Sequence, residues 1–139
     1  MARTIIVDTG VLVALLSRQD QHHEWAVGQA MGLPLPWATC EAVLSETYHR
    51  ISPSPRARKG LLEMIRRGAL AFRFALPPSL GRMADLLEKF SDLPTSVADA
   101  NLLLMAEHLP GAEIWTTDSD FLVYRLPGKK PLPAILPPD

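Results

Sequence analysis

The chain has 139 residues, 47% of them hydrophobic, with 14 Lys and Arg against 15 Asp and Glu. That length suits one domain, residues 1–139, with a real core, and a net charge of −1 excludes a global basic field that would gather nucleic acid. The lone Cys40 cannot form an internal disulfide, and no Cys or His spacing suggests zinc, so a reducing, cytoplasmic setting is expected.

Thr4-Ile5-Ile6-Val7 is rich in β-branched residues and lacks polar alternation, the pattern of a short buried strand. Asp8 and Gly10 follow at once, ahead of an apolar helix through Leu16. Asp8 thus falls at a strand's carboxyl end, where open parallel sheets bind ligands; as an N-cap it also has a purely structural use. The same acid interrupts the N-terminal apolar run, which speaks against a signal peptide. No apolar stretch nears the ~20 residues that span a bilayer, so no membrane association is expected. Asp20 is placed to cap a second helix, Glu24 to Met31, stopped by Gly32. His22 and His23 point about 100° apart on a helix and read as solvated surface. Leu33 to Ala38 is an extended stretch whose prolines mark strand ends.

Thr39 is expected to cap a helix from Cys40 to Ile51, with Cys40, Leu44, Tyr48 and Ile51 as its core stripe. Off that stripe, Glu46 and Arg50 are spaced for an i,i+4 ion pair worth ~0.3–0.5 kcal/mol. Ser54 as N-cap and Pro55 at the first position open the next helix, which runs to near Gly68. It carries Arg56, Arg58, Lys59, Arg66 and Arg67, the densest basic cluster: a solvated face, or contacts to phosphate or an acidic partner. Ala69 to Leu76 alternates with period two and reads as a strand; Pro77-Pro78 ends it, and Ser79 begins a helix to Phe90. Ser96 and Asp99 match a capping box at the head of an apolar helix that ends at His108. A charge in the first turn of a buried helix is costly unless the helix N-terminus or a cation compensates it. Ala112 to Thr116 is a further strand. Asp118 and Asp120 behind it either cap a helix from Leu122 to Arg125 or offer oxygen ligands to a cation. The proline-rich tail from Leu126 reads as extended, around an edge strand at Ala134 to Leu136.

Alternating strands and helices predict an α/β domain in three layers, α/β/α, with a mainly parallel sheet. Right-handed crossovers bring strand carboxyl ends to one edge, where Asp8, Asp99, Asp118 and Asp120 then meet, with Glu46 a turn and a half into its helix. Two carboxylates ~4 Å apart repel by on the order of 4 kcal/mol at an effective dielectric of ~20. Such a cluster takes up protons or holds a cation, and an all-oxygen set suits Mg²⁺ or Mn²⁺. Metal-dependent hydrolysis of a phosphodiester is the reaction class that follows.

Four stretches in order, IIVDTGVLVALL (Ile5 to Leu16), AVLSETYHR (Ala42 to Arg50), LPTSVADANLLLMAE (Leu93 to Glu107) and TTDSDF (Thr116 to Phe121), resemble PIN-domain ribonucleases, above all the VapC toxins of toxin–antitoxin pairs. The resemblance implies a five-stranded parallel sheet, a Mg²⁺- or Mn²⁺-dependent endoribonuclease acting on RNA, a homodimer, and a small VapB-like antitoxin whose tail enters the active-site groove. It assigns Asp8, Asp99 and Asp118 to the metal, Asp120 to its support and Glu46 to the attacking water, with Thr9 and Thr116 hydrogen-bonding behind them. Phe90 departs mildly from the family's usual tyrosine. Two other readings compete. One is a catalytically silent module of the same fold that binds RNA or protein, with no dependence on the acids. The other is a phosphatase using Asp8 as nucleophile, which lacks the usual second acid because Gly10 stands two residues on.

Overall fold

The computed structural model describes residues 3–139. In chain order its elements are β1 (Thr4–Val7), α1 (Thr9–Leu16), α2 (His23–Ala30), β2 (Trp37–Ala38), α3 (Glu41–Ile51), α4 (Pro55–Arg66) and β3 (Leu70–Ala71). There follow α5 (Leu80–Lys89), α6 (Val97–His108), β4 (Ala112–Trp115), β5 (Arg125–Leu126), β6 (Lys130–Pro131) and β7 (Ala134–Ile135). Five strands make one sheet in the order β3-β2-β1-β4-β7, and every pairing in it is parallel. β1 holds the middle because Ile5, Ile6 and Val7 are buried on both faces of the sheet. Its register runs from Thr4 opposite Ala112 to Val7 opposite Trp115, so Asp8 and Thr116 leave the sheet side by side.

The chain moves from β1 outward to β2 and β3, then crosses back to β4 on the far side of β1. Right-handed crossovers therefore put α1 to α4 on one face and α5 and α6 on the other. Packing agrees: α1 lies against α2, α3 and α4, while α5 lies on α6, which rests on β4 and β1. The reversal creates a topological switch point between the carboxyl ends of β1 and β4, the crevice such sheets use for ligands. Below it the core is closed by Trp115, which meets Trp37 edge-on at 4.9 Å and Trp25 at 6.5 Å.

Several expectations needed correction. The predicted strand at 69–76 is only two residues long, since it pairs solely with the two-residue β2. Thr39 does not cap α3: its buried hydroxyl donates to the Val7 carbonyl, and Cys40 takes the cap position without a side-chain bond. The buried stripe of α3 is Val43, Thr47 and Ile51, leaving Leu44 half-buried and Tyr48 exposed. Asp20 accepts from His22 N in a turn ahead of α2 instead of capping it. His23 is half-buried, with its Nδ1–H donating to the Ala14 carbonyl at 2.7 Å. After Asp118 comes one 3₁₀ turn, Ser119–Leu122, in place of a helix from Leu122 to Arg125, and β5 and β6 form an antiparallel pair outside the main sheet. The Ser54–Pro55 start of α4 stands as expected, with Ala57 N donating to Ser54 Oγ at 3.1 Å, and Gly68 turns the chain out of it at φ 73°.

Candidate active site

Asp8 ends β1 and caps α1 in one move. Its Oδ1 accepts from Thr9 N at 2.7 Å, and its Oδ2 accepts from the Thr116 hydroxyl, off the end of β4, at 2.6 Å. That hydroxyl oxygen in turn accepts from Asp118 N at 3.0 Å, and Asp118 Oδ1 accepts from Asp120 N at 2.9 Å. Asp99, in the first turn of α6, completes the capping box: Ser96 N donates to its Oδ2 and its own N donates to Ser96 Oγ, both at 3.0 Å. Glu46 reaches in from α3, where its Oε2 accepts from the Thr9 hydroxyl at 3.1 Å.

These elements enclose an open cavity of about 220 Å³ lined by Asp8, Glu46, Asp99 and Asp118, together with Thr9 and Arg50 among others. Gly10 also lines it, and a Cβ there would stand 2.3 Å from Thr117 Oγ1, so that hydroxyl would have to move. Asp8 is the deepest of the acids, 6% exposed. Burial pushes its carboxyl up to about 6; the Thr116 hydroxyl pulls the other way, and the charges of Asp99 and Asp118 add to the rise. Asp99 is raised as well, first by burial, with Asp118 and Glu46 adding repulsion against its bond from Ser96 N. Behind the cluster, the buried Tyr124 hydroxyl lies 2.7 Å from Thr95 Oγ1, its ring held by Phe90 and Phe121. Burial raises its pKa, and Asp99, Asp120 and Asp118 raise it further.

Four of the expected acids, Asp8, Glu46, Asp99 and Asp118, thus share one cavity, and Thr9 and Thr116 bond to them. Asp120 is not in the lining; its backbone N anchors Asp118 by donating to Oδ1. None of the basic residues of α4 lines the cavity. Arg58 donates to the Ser52 carbonyl, Arg67 pairs with Glu63 at 3.4 Å, and Arg56 borders a separate hollow beside α1. The expected Glu46–Arg50 pair is absent among the described residues, because Glu46 faces Thr9. Arg50 and Tyr124 were not singled out as site residues. Arg50 carried a signal in its place one turn beyond Glu46, whereas Tyr124 lies in an apolar run with none.

Among the described residues no three Asp, Glu, His or Cys side chains are already drawn tightly enough together to hold an ion. The donor chemistry still fits one. Every side chain facing the cavity from an acid offers oxygen, and Asp8 is buried at a cost that neighbouring negative charge increases. A hard divalent cation relieves that cost.

The family model of the PIN domain matches residues 5–126. No curated protein matches the chain. Among solved structures, that of VapC20 from Mycobacterium tuberculosis, a sarcin–ricin loop cleaving toxin, superposes with a TM-score of 0.71. The match covers 84% of this chain and 92% of that one at 21% identity, a likeness of fold.

Proposed function

The chain belongs to the PIN domain family, and on that footing we propose that it is a metal-dependent endoribonuclease, the toxin of a VapBC-type pair. The observation that carries this reading is the meeting of Asp8, Glu46, Asp99 and Asp118, from four separate elements, around one cavity at the switch point of the sheet. The whole chain, residues 1–139, acts as one domain. Its substrate is RNA, its partner a small VapB-like antitoxin, its working form a homodimer and its setting the cytoplasm. That VapC20, of like fold, is a sarcin–ricin loop cleaving toxin supports the class of reaction.

Asp8, Asp99 and Asp118 would hold Mg²⁺ or Mn²⁺, with Asp120 adding negative charge from outside the lining. When bound, the ion supplies positive charge against the charge developing on the phosphodiester and acidifies the attacking water. Thr116 and Thr9 N fix the orientation of Asp8 by taking one oxygen each. Glu46 is the base: the Thr9 hydroxyl holds Oε2, leaving Oε1 to take a proton from water as its oxygen attacks phosphorus. The departing ribose oxygen takes a proton in its turn, so one water is consumed per bond cut.

The test is cleavage of a stem-loop RNA by purified protein with Mn²⁺, abolished by a chelator. Glu46→Gln should slow it by about 10²- to 10⁴-fold. Because Glu46 is exposed, that change should leave the unfolding temperature unmoved. Equal cutting by Glu46→Gln would mean that another protein in the preparation does the work.

A further inference from the structure

Four of the residues lining the acid cavity are carboxylates, and an RNA backbone is itself a line of negative charge. Something must make its approach favourable. The lining holds a single cation, Arg50, on α3 four residues beyond Glu46 and therefore on the same side of that helix. Spacing and order favour a Glu46–Arg50 pair, yet Glu46 is turned to the Thr9 hydroxyl. Among the described residues the Arg50 guanidinium has neither an ion pair nor a side-chain hydrogen bond, and it is exposed. Arg50 also walls a second hollow of about 110 Å³ that it shares with Val13, Ser17 and Ser54, so this one residue borders both depressions. The basic residues of α4 cannot replace it at the cavity, since none of them lines it.

We propose that Arg50 is the substrate-binding cation of this site: its guanidinium takes the non-bridging oxygens of a backbone phosphate at the cavity's edge and sets the RNA across the acids. This rests on the endoribonuclease reading and deepens it. A planar guanidinium donates two parallel hydrogen bonds to a phosphate, which fixes orientation as well as charge. The hydroxyls of Thr9, Ser96 and Thr117 in the lining offer single donors without charge, and no other side chain there carries positive charge.

The experiment compares wild type with Arg50→Gln and Arg50→Lys in steady-state cleavage of a stem-loop RNA. RNA affinity is measured separately by fluorescence anisotropy in a Glu46→Gln background, where cutting is slow. Arg50→Gln should raise KM by about 10- to 30-fold with kcat within threefold, and Arg50→Lys should recover part of the loss, since charge survives and the fork does not. The slope of log affinity against log salt should fall by about 0.7 to 0.9, one phosphate contact. An unchanged KM and an unchanged salt slope in a protein that cuts RNA would overturn the proposal. So would an unchanged slope alongside weaker binding of a poly-glutamate peptide, which would make Arg50 a protein-contact residue. A protein that cuts nothing but shows the Arg50-dependent slope would instead refute the nuclease reading and leave this one standing.

Discussion

Asp8→Asn should make the metal-free protein more stable, and by an amount that depends on pH. The Asp8 carboxyl stands at about 6 in the folded chain against 3.8 ordinarily. The folded state therefore holds this proton more tightly than the unfolded chain does. Its stabilising effect is whole below pH 3.8 and is lost as pH rises through about 6. At 1.36 kcal/mol per pH unit the loss reaches about 3 kcal/mol at pH 7.5 and about 1 kcal/mol at pH 4.5. Asparagine never carries the charge, but it gives up acceptance of the Thr116 hydroxyl, about 1 kcal/mol. The net gain is about 2 kcal/mol at pH 7.5 and near zero at pH 4.5. For a domain of this size that is about 8 °C in Tm at the higher pH. Thermal unfolding of both proteins in EDTA at the two pH values measures it. On the proposed metal role, adding Mn²⁺ should then stabilise wild type far more than the variant, since an ion that binds only the folded carboxylates favours the folded state. A variant less stable than wild type at both pH values by the same amount would refute the reasoning: Asp8 would be a structural acid whose charge is welcome.

Thr116→Val keeps the shape but removes the donor to Asp8 and the acceptor for Asp118 N, so it should cost about 2–3 kcal/mol by urea unfolding. It should also weaken Mn²⁺ binding, measured by titration calorimetry, by about 10- to 100-fold. Ser96→Ala opens the capping box of α6 and should cost about 1 kcal/mol. The Asp99 backbone N–H would then lose its acceptor, while the bond from the backbone N–H of residue 96 to Asp99 Oδ2 remains. Cleavage rates measured well below Tm should therefore fall only as far as loosening of the first turn of α6 displaces that carboxylate.

The frame of the fold was open to reading from the chain. β-Branched β1, the Ser54–Pro55 and Ser96–Asp99 helix starts, and the strand ahead of Asp118 are local patterns whose causes lie within a few residues. What escaped depends on partners far away. β3 is short because β2 is short, and no alternation at 69–76 carries that information. The face of α3 was misjudged because its buried stripe includes Thr47, which polarity alone puts outside, while the apolar Leu44 and Tyr48 sit nearer the surface. That error of one position left Glu46 reading as a surface partner for Arg50. Only the meeting of α3 with α1, which brings the Thr9 hydroxyl to Glu46, shows the two side chains parting. Tyr124 behind the acids is likewise a tertiary fact, set by Phe90, Phe121 and Thr95.

Capping and the proposed chemistry look like rival explanations for these acids, yet Asp99 and Asp118 leave room for both by dividing their oxygens. Glu46, which caps nothing, is held in the same way. Asp8 differs in having both oxygens engaged, by Thr9 N and the Thr116 hydroxyl. Asp99 gives Oδ2 to Ser96 N, Asp118 gives Oδ1 to Asp120 N, and Glu46 gives Oε2 to Thr9. Among the described residues the other oxygen of each is left without a protein donor. A carboxylate free to rotate would swing into solvent to escape its neighbours, since unit charges ~4 Å apart repel by on the order of 4 kcal/mol at an effective dielectric of ~20. One bond to a rigid backbone N–H or to a packed hydroxyl opposes that swing and leaves the second oxygen unclaimed by the protein. The local rules that make Asp8, Asp99 and Asp118 good caps are thus the means by which a repulsive cluster is held together. A chain that needs acids converging from distant segments does well to place them at strand ends and helix starts.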